Sequence, residues 1–215
     1  MSYDPEQHHR RSIRLDGYDY AEAGAYFVTV CTQDHLCLFG SVVGEEMQPN
    51  ESGRMVLAAW NELPDRYPGV VTDAFVLMPN HIHGIIVLAA SVGATPCGCP
   101  GPHAQATAYG LNEAGQARGP APTSTNDDRC PLSLGDIVRR FKTLTTRQYI
   151  DGVKSSHWSP FPGRLWQRNY YEHIIRSERA LNHIRRYIFE NPLRWAQDRE
   201  NPAATTPEEP DAWRI

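Results

Sequence analysis

The stretch VVTDAFVLMPNHIHGIIVLA, residues 70–89, decides the fold of this chain. It contains two runs rich in β-branched and aliphatic residues, 70–78 and 81–89, which are separated only by Pro79 and Asn80. Such runs favour β-strands, and a two-residue break between two strands is typical of an antiparallel hairpin. The stretch therefore predicts two neighbouring antiparallel strands.

Residues outside this hairpin supply two further strands and three helices. Aromatic and β-branched residues predict a first strand over 25–33 and a fourth strand over 165–175. Apolar residues at helical spacing predict amphipathic helices over 51–67, 133–150 and 177–191. The order is therefore strand, helix, strand, strand, helix, strand, followed by one more helix.

This order of elements is the βαββαβ pattern of a ferredoxin-like α+β fold. We expect an antiparallel sheet with two helices on one face, plus an additional C-terminal helix. Ser177 is expected to cap the start of that last helix, because its hydroxyl can accept a hydrogen bond from the first turn. Pro192 is expected to end it, because the residue before a proline avoids the helical conformation.

The composition divides the chain into an N-terminal arm, a main domain and a tail. The arm, residues 1–24, carries several arginines, and the tail, residues 196–215, is acidic and rich in proline. The main domain covers 25–195 and is interrupted by 91–132, which hold six Gly and six Pro in 42 positions. Such a segment buries too little apolar surface to offset its ordering entropy, so we expect a flexible insertion.

Cysteine usage and hydropathy favour a cytoplasmic protein. The chain has five cysteines, an odd number without the spacing of a disulfide framework, which predicts reduced thiols. Cys97 and Cys99, with His103 nearby, resemble part of a zinc knuckle but lack a second pair of ligands. No stretch approaches the roughly 18 apolar residues that cross a bilayer, and the N-terminus does not have the pattern of a signal peptide.

Basic residues are concentrated in one part of a chain whose net charge is −4. Residues 133–188 contain eleven Lys or Arg and four Asp or Glu, a balance of +7. A basic block beside acidic segments is compatible with local phosphate binding. A solvated, charged helix face is the competing interpretation, and charge alone does not separate the two.

His81 and His83 occupy alternate positions on the third predicted strand. Residues i and i+2 of a strand point to the same face, so the two imidazoles are expected side by side. Two neutral imidazoles on a rigid strand make half of a metal site. The alternative is two polar residues on a half-exposed strand, and the pair by itself leaves both interpretations open.

Tyr187 and Asn191 form a second pair, on the last predicted helix. Residues i and i+4 lie one above the other on a helix, here at the edge of its apolar stripe. A phenol and a carboxamide at that edge can reach the sheet. The alternative is a tyrosine on the helix flank followed by a capping asparagine.

Taken together, these motifs resemble those of the REP-associated tyrosine transposases, within the HUH single-tyrosine superfamily. The resemblance covers roughly residues 10–90 and 133–195. Its motifs are RSIRLDGYDY (11–20), AYFVTVCTQ (25–33), MPNHIHGII (78–86), LWQRNYYEHIIR (165–176) and YIFENP (187–192).

The resemblance implies a metal-dependent endonuclease and strand transferase that acts on single-stranded DNA next to hairpins. His81, His83 and Asn191 would bind a divalent cation, Mg²⁺ or Mn²⁺, and Tyr187 would be the nucleophile that forms a 5′-phosphotyrosine link. The resemblance is compatible with a homodimer in which the last helix is exchanged between subunits, and the tail of this chain is compatible with a monomer, so both states stay open here. The residues expected to bind DNA are all basic: Arg11, Arg14, Arg139, Arg140, Lys142, Arg147, Arg168 and Arg176.

Two other hypotheses stand beside the transposase. One is a module, descended from a transposase, that binds structured nucleic acid without cutting it. The other is a metal-dependent hydrolase that uses His81, His83 and His173. Tyr170 and Tyr171 are rival nucleophiles, although neither has an amide or carboxylate one helical turn away.

Overall fold

The computed structural model describes residues 17–89 and 132–204, which belong to one compact unit. Two short 3₁₀ helices, Gln33–His35 and Asn191–Gln197, accompany the strands and α-helices. The strands and α-helices follow in chain order: β1 (Gly24–Cys31), β2 (Gly40–Val43), β3 (Glu46–Pro49), α1 (Glu51–Asn61), α2 (Leu63–Arg66), β4 (Val70–Leu77), β5 (His81–Leu88), α3 (Leu134–Ser156), β6 (Tyr171–Ile175) and α4 (Glu178–Glu190).

The main sheet has the strand order β4-β5-β1-β6, and all of its neighbouring strands are antiparallel. β4 and β5 form the expected hairpin around Pro79 and Asn80, in which the Met78 amide donates to the His81 carbonyl at 2.8 Å. The strands β2 and β3 form a separate two-stranded hairpin. The fold is thus the predicted ferredoxin-like α+β arrangement.

The two faces of the main sheet are covered by different helices. Ile82 and Ile86 of β5 lie in a core cluster with Trp60 of α1 and Phe141 of α3. Side chains alternate along a strand, so the intervening residues of β5 face the other way. There Ile85 packs in a second cluster with residues of α4. The C-terminal helix therefore lies on the face opposite α1 and α3, the face that carries both strand histidines.

The helix starts follow local sequence signals. The Ser177 hydroxyl accepts a hydrogen bond from the Ala180 amide, which confirms Ser177 as the cap of α4. Ser133 and Asp136 form a reciprocal capping box at the start of α3. The single helix expected over 51–67 is instead two helices, because Pro64 lacks the amide hydrogen that a continuous helix needs.

The fourth main-sheet strand is shorter than expected. Only Tyr171–Ile175 pair with β1, whereas residue 166 makes an isolated bridge to Thr32. Between these points the chain bends around Lys142 of α3, whose ammonium donates to the carbonyls of Gln167 and Asn169 at 3.0 Å each. The regular pairing with β1 begins only at Tyr171, after this bend.

Helix α3 is longer than expected, since it continues past Gly152 to Ser156. Glycine normally weakens a helix, but a Cβ at this position would lie 2.3 Å from the Trp158 ring. Gly152 therefore allows Trp158 to pack directly against the helix backbone. His157, in the left-handed conformation, then ends α3 by donating its amide to the Gly152 carbonyl.

Several expectations fall on residues 1–16, 90–131 and 205–215, which lie outside the described residues. They concern nearly all of the insertion, most of the basic arm and the end of the acidic tail. Within the described ranges, no helix is both long enough and apolar enough to span a membrane.

Candidate metal centre and nucleophile site

His81 and His83 lie side by side at the start of β5, on the face covered by α4. Both side chains have no exposed surface, and their Nε2 atoms are 3.1 Å apart. The alternation of the strand brings them together, as the sequence predicts. The interpretation of two polar residues on a half-exposed strand is therefore wrong, because burial of two imidazoles needs partners.

Asn80 fixes the orientation and the proton of His81. The Asn80 amide nitrogen donates to the backbone carbonyls of His35 and Glu200, so its Oδ1 is the acceptor for His81 Nδ1 at 2.8 Å. Nδ1 of His81 therefore carries the proton, and Nε2 is left with a lone pair. A lone pair on a buried, oriented Nε2 is what a metal ligand requires.

Thr29 orients the second imidazole. Thr29 of β1 is the cross-strand partner of His83, and its Oγ1 lies 2.8 Å from His83 Nδ1. Phe27, two residues earlier on the same face, stacks against the His83 ring with centroids 5.4 Å apart. Nε2 of His83 is thereby directed away from the sheet, toward His81 and α4.

Tyr187 reaches the histidine pair from α4. Its hydroxyl lies 3.4 Å from His83 Nε2, and its side chain is 9% exposed. The position follows from helix packing, because Ile184 and Ile188 on the same stripe are buried against Phe27 and Ile85. The structure therefore brings Tyr187 and the histidine pair together within one chain.

Asn191 follows one helical turn after Tyr187 and is only 1% exposed. It is the C-terminal capping residue of α4 and begins the 3₁₀ helix that follows. Within the described ranges, no group donates a hydrogen bond to its buried Oδ1. A buried acceptor without a donor is costly, and a cation would relieve that cost.

Asp198 is a residue of the site that sequence reasoning missed. Its Oδ2 lies 3.8 Å from His81 Nε2, and its side chain is 7% exposed. Its Oδ1 accepts from the Glu200 amide at 2.8 Å, so one oxygen is held and the other faces the histidines. It falls in a segment that the sequence predicts to be an acidic tail, where no periodicity distinguishes one carboxylate from another.

The donor atoms fit a divalent cation. Two ligands about 2.1 Å from an octahedral ion and at right angles to each other are about 3.0 Å apart, close to the 3.1 Å between the two Nε2 atoms. Asp198 Oδ2 is the carboxylate oxygen that faces the histidines, and nitrogen with oxygen ligands suits a divalent cation. These residues are the ones that would hold such an ion.

The structure gives His173 a different place. Among the described residues, the groups of three His, Cys, Asp or Glu side chains close enough to share a metal are His81–His83–Asp198 and Cys31–His35–Glu200. His173 belongs to neither group. It lies on β6 opposite Phe27, and burial, helped by nearby Arg176, lowers its pKa.

The predicted DNA-binding residues on α3 fall into two sets. Arg139 forms an ion pair with Asp136, and Arg140 lies over the Tyr67 ring. Lys142 and Arg147 instead line an open groove of about 640 Å³. Burial lowers the pKa of Lys142 to about 8, and its ammonium donates to carbonyls of the loop before β6.

The opposite wall of this groove is formed by the chain before β6. This wall includes Arg168, which was predicted from the sequence to bind DNA. The groove is also lined by two basic residues that were not predicted, Lys154 and Arg164. Arg176 is exposed between β6 and α4. Arg11 and Arg14 lie outside the described residues.

Comparison with known proteins gives one close relative and more distant structural neighbours. No family model matches the chain. Among solved structures, a REP-associated tyrosine transposase bound to a REP hairpin is 18% identical with a TM-score of 0.46, covering 84% of this chain and 73% of that one. A proposed transposase from Deinococcus radiodurans R1 is also 18% identical, with a TM-score of 0.38, covering 83% of this chain and 96% of that one.

The first of these neighbours carries the name of the family that the sequence motifs resemble. In sequence, a protein of Haemophilus influenzae strain Rd, itself described only as uncharacterized, is 39% identical over 199 residues. The match spans 91% of this chain and 95% of the relative. The chain therefore belongs to the same family as this Haemophilus influenzae protein.

Proposed function

We propose that this protein is a metal-dependent DNA strand transferase that cuts and rejoins single-stranded DNA beside a hairpin, with Tyr187 as nucleophile. One observation carries the proposal: the Tyr187 hydroxyl lies 3.4 Å from an imidazole nitrogen that is itself 3.1 Å from a second one. A purely structural role in the core would not require a phenol and two oriented imidazoles to meet at one buried point.

In this proposal His81 and His83 hold the cation, together with the side-chain oxygen of Asn191 or Asp198. When bound, a divalent cation supplies Lewis-acid polarisation of the scissile phosphate. Thr29 and Asn80 are positioning residues, since their hydrogen bonds to the two Nδ1 atoms fix both rings. Partners of this kind are needed to orient metal-binding histidines.

The proposed reaction is an in-line transfer of the DNA phosphoryl group. The Tyr187 hydroxyl loses its proton as its oxygen forms a bond to phosphorus, and the bond from phosphorus to the 3′ oxygen breaks. The products are a 5′-phosphotyrosine link and a 3′ oxygen, which takes a proton to become a hydroxyl. The bond energy is kept in the covalent link, so rejoining needs no nucleotide cofactor.

The open basic groove supports a path for the DNA backbone. Its wall contacts the end of the central strand, because the Gln167 amide donates to the Cys31 carbonyl at 2.9 Å. Cys31 is in turn the cross-strand partner of His81. A phosphate chain bound by Arg147, Lys154, Arg164 and Arg168 would therefore run close to the end of β1 and the start of β5.

A hairpin oligonucleotide with single-stranded flanks tests this proposal. The protein is incubated with the labelled DNA and Mn²⁺ and analysed on a denaturing gel. We expect a covalent protein–DNA adduct with the unaltered protein, and none with Tyr187→Phe, which removes only the nucleophilic oxygen. The matched control is Tyr171→Phe, a rival nucleophile on β6, which should keep the adduct.

An adduct that persists in Tyr187→Phe would overturn the assignment of the nucleophile.

The burial of both histidines and of Tyr187 supports a second candidate, a module that binds structured nucleic acid without cutting it. Tight binding of the hairpin without any adduct, by a protein that binds Mn²⁺, would favour this module.

A further inference from the structure

A second cluster of metal-binding side chains lies at the end of the central strand, beside the site described above. Glu200 Oε2 is 3.5 Å from Cys31 Sγ and 3.2 Å from His35 Nδ1. All three ligand atoms lie within 4.8 Å of one another. Cys31 is buried, and the other two side chains are partly exposed.

We propose that Cys31, His35 and Glu200 form a zinc site. In a tetrahedral zinc site, with bonds of about 2.3 Å to sulfur and about 2.0–2.1 Å to nitrogen and oxygen, sulfur and oxygen ligands are about 3.6 Å apart and nitrogen and oxygen ligands about 3.3 Å. In the structure, the distance from Cys31 Sγ to Glu200 Oε2 is 3.5 Å and that from His35 Nδ1 to the same oxygen is 3.2 Å, close to the two expected separations. The three donors leave a fourth position open to solvent or to a further ligand.

The fold holds these three groups from separate parts of the chain. Cys31 is the last residue of β1, and His35 belongs to the 3₁₀ turn that follows it. Asp34 and His35 have φ angles of 57° and 53°, which are uncommon for residues that carry a Cβ. This turn conformation places the His35 ring against Glu200, which arrives from beyond α4.

The ligand chemistry separates this site from the His81–His83 centre. A thiolate together with an imidazole and a carboxylate favours zinc, a borderline-soft ion, over Mg²⁺ or Mn²⁺. The His81–His83 group has no sulfur donor. We therefore expect the two sites to take different ions, so the zinc proposal can be tested independently of the proposed function.

A metal here would fasten the segment after α4 to the sheet. The Glu200 amide donates to Asp198 Oδ1, and the Glu200 carbonyl accepts from the Asn80 side chain. Asn80 also accepts from His81. One ion bound by Glu200 would therefore stabilise the position of Asp198 and the orientation of His81 together.

Cobalt substitution of the full-length protein tests this inference. Co²⁺ replaces zinc and gives a sulfur-to-cobalt charge-transfer band when a thiolate is a ligand, along with visible bands typical of tetrahedral geometry. We expect both signals in the unaltered protein, and about one equivalent of zinc per chain by elemental analysis. Both should persist in the His81→Ala, His83→Ala double variant, which removes the neighbouring centre.

The cysteine variants identify the ligand. Cys31→Ser should abolish the charge-transfer band, whereas Cys37→Ser, at an exposed cysteine, should keep it. Cys97→Ser with Cys99→Ser should also keep it. The absence of a band in the unaltered protein, or its survival in Cys31→Ser, would overturn the proposal and leave a thiol that donates to Glu200.

Glu200→Gln provides a second test, in case Cys31→Ser does not fold. The change keeps the size of the side chain but removes the anionic ligand, at a partly exposed position. We expect the affinity for Co²⁺ to fall by at least about tenfold, since loss of even an outer partner commonly has that effect. Unchanged affinity, with circular dichroism like that of the unaltered protein, would also overturn the zinc site.

Discussion

Single atoms decide what the histidine pair can do. The Asn80 side chain donates to two carbonyls, and this leaves its oxygen to accept from His81 Nδ1. The same imidazole can be a hydrogen-bond donor or a metal ligand at Nε2, depending on which nitrogen holds the proton. Here Asn80, in the turn of the same hairpin, fixes the proton of His81 on Nδ1.

Asp198→Asn tests whether the missed carboxylate contributes to the metal centre. The change keeps the acceptor for the Glu200 amide but removes the negative charge that faces His81 Nε2 at 3.8 Å. We expect the affinity for Mn²⁺, measured by isothermal titration calorimetry, to fall by at least about tenfold. Asp151→Asn, at an exposed position on α3, is the control. Unchanged affinity would mean that Asn191 supplies the oxygen ligand by itself.

Close packing between elements sets where the strands and helices meet. Gly84 of β5 has no side chain, and the Trp60 ring of α1 occupies the space, stacked on Phe75 of β4 with centroids 4.6 Å apart. On the opposite face, α4 is joined to β4 by the ion pair between Arg185 and Asp73. The histidine strand is therefore fixed from both faces.

Gly84→Ala tests the contact with α1. A Cβ on Gly84 would lie 2.4 Å from a Trp60 ring carbon, which is closer than real contacts allow. We expect the free energy of unfolding, measured by urea denaturation, to fall by about 1–3 kcal/mol, the usual cost of overpacking. Gly24→Ala, whose Cβ would meet its neighbours at 3.5 Å or more, should have a smaller effect. Equal losses in the two variants would contradict this account.

Asp73→Asn tests the contact between α4 and β4 through its pH dependence. The hydrogen bonds from Arg185 lower the pKa of Asp73 below its ordinary value of 3.8. A lowered pKa means that the ion pair stabilises the fold above the ordinary value and that this contribution is lost as the pH falls through the lowered one. We therefore expect Asp73→Asn to be less stable than the unaltered protein at neutral pH in urea denaturation. The difference should disappear in acid.

The surface pair of Glu62 and Arg66 is the control for this experiment. It joins residues of neighbouring turns at the α1–α2 junction, and both side chains are 46% exposed. Exposed pairs of this kind contribute little to stability. Glu62→Gln should therefore be nearly neutral at every pH, and a pH-independent loss in Asp73→Asn would show that its effect is not electrostatic.

The whole molecule assembles the candidate site from distant parts of a single chain. Tyr187 and His83 are 104 positions apart in sequence, and their side chains meet without a second copy of the protein. The segment after α4 then returns to the end of the sheet, where Asp198 and Glu200 reach the two candidate metal-binding groups. An exchange of α4 between subunits is not needed to complete the site.

Mixing two inactive variants tests this intrachain arrangement, on the basis of the proposed function. One variant is Tyr187→Phe, and the other is the His81→Ala, His83→Ala double variant. Because each chain supplies both halves of its own site, we expect the mixture to form no covalent DNA adduct on a denaturing gel. Recovery of the adduct after the two proteins are mixed would contradict the intrachain site and indicate exchange of the helix.

Local patterns in the sequence were enough to predict the order of the four main-sheet strands and the three longer helices, and part of the site. Alternation along β5 places His81 and His83 on one face, and helical spacing places Tyr187 on the stripe that packs against the sheet. Capping by Ser177 is confirmed for the same reason. Each of these features depends on neighbours within a few residues, so the chain encodes it directly.

Tertiary structure decided the rest. Thr29 and Asp198 reach the histidine pair from 54 and 117 positions away, and Cys31, His35 and Glu200 come together only when the segment after α4 returns to the sheet. The chain just before the fourth strand bends around Lys142, which belongs to a helix some 25 positions earlier. Such contacts follow from how distant elements pack, and no periodicity or spacing in the sequence records that packing.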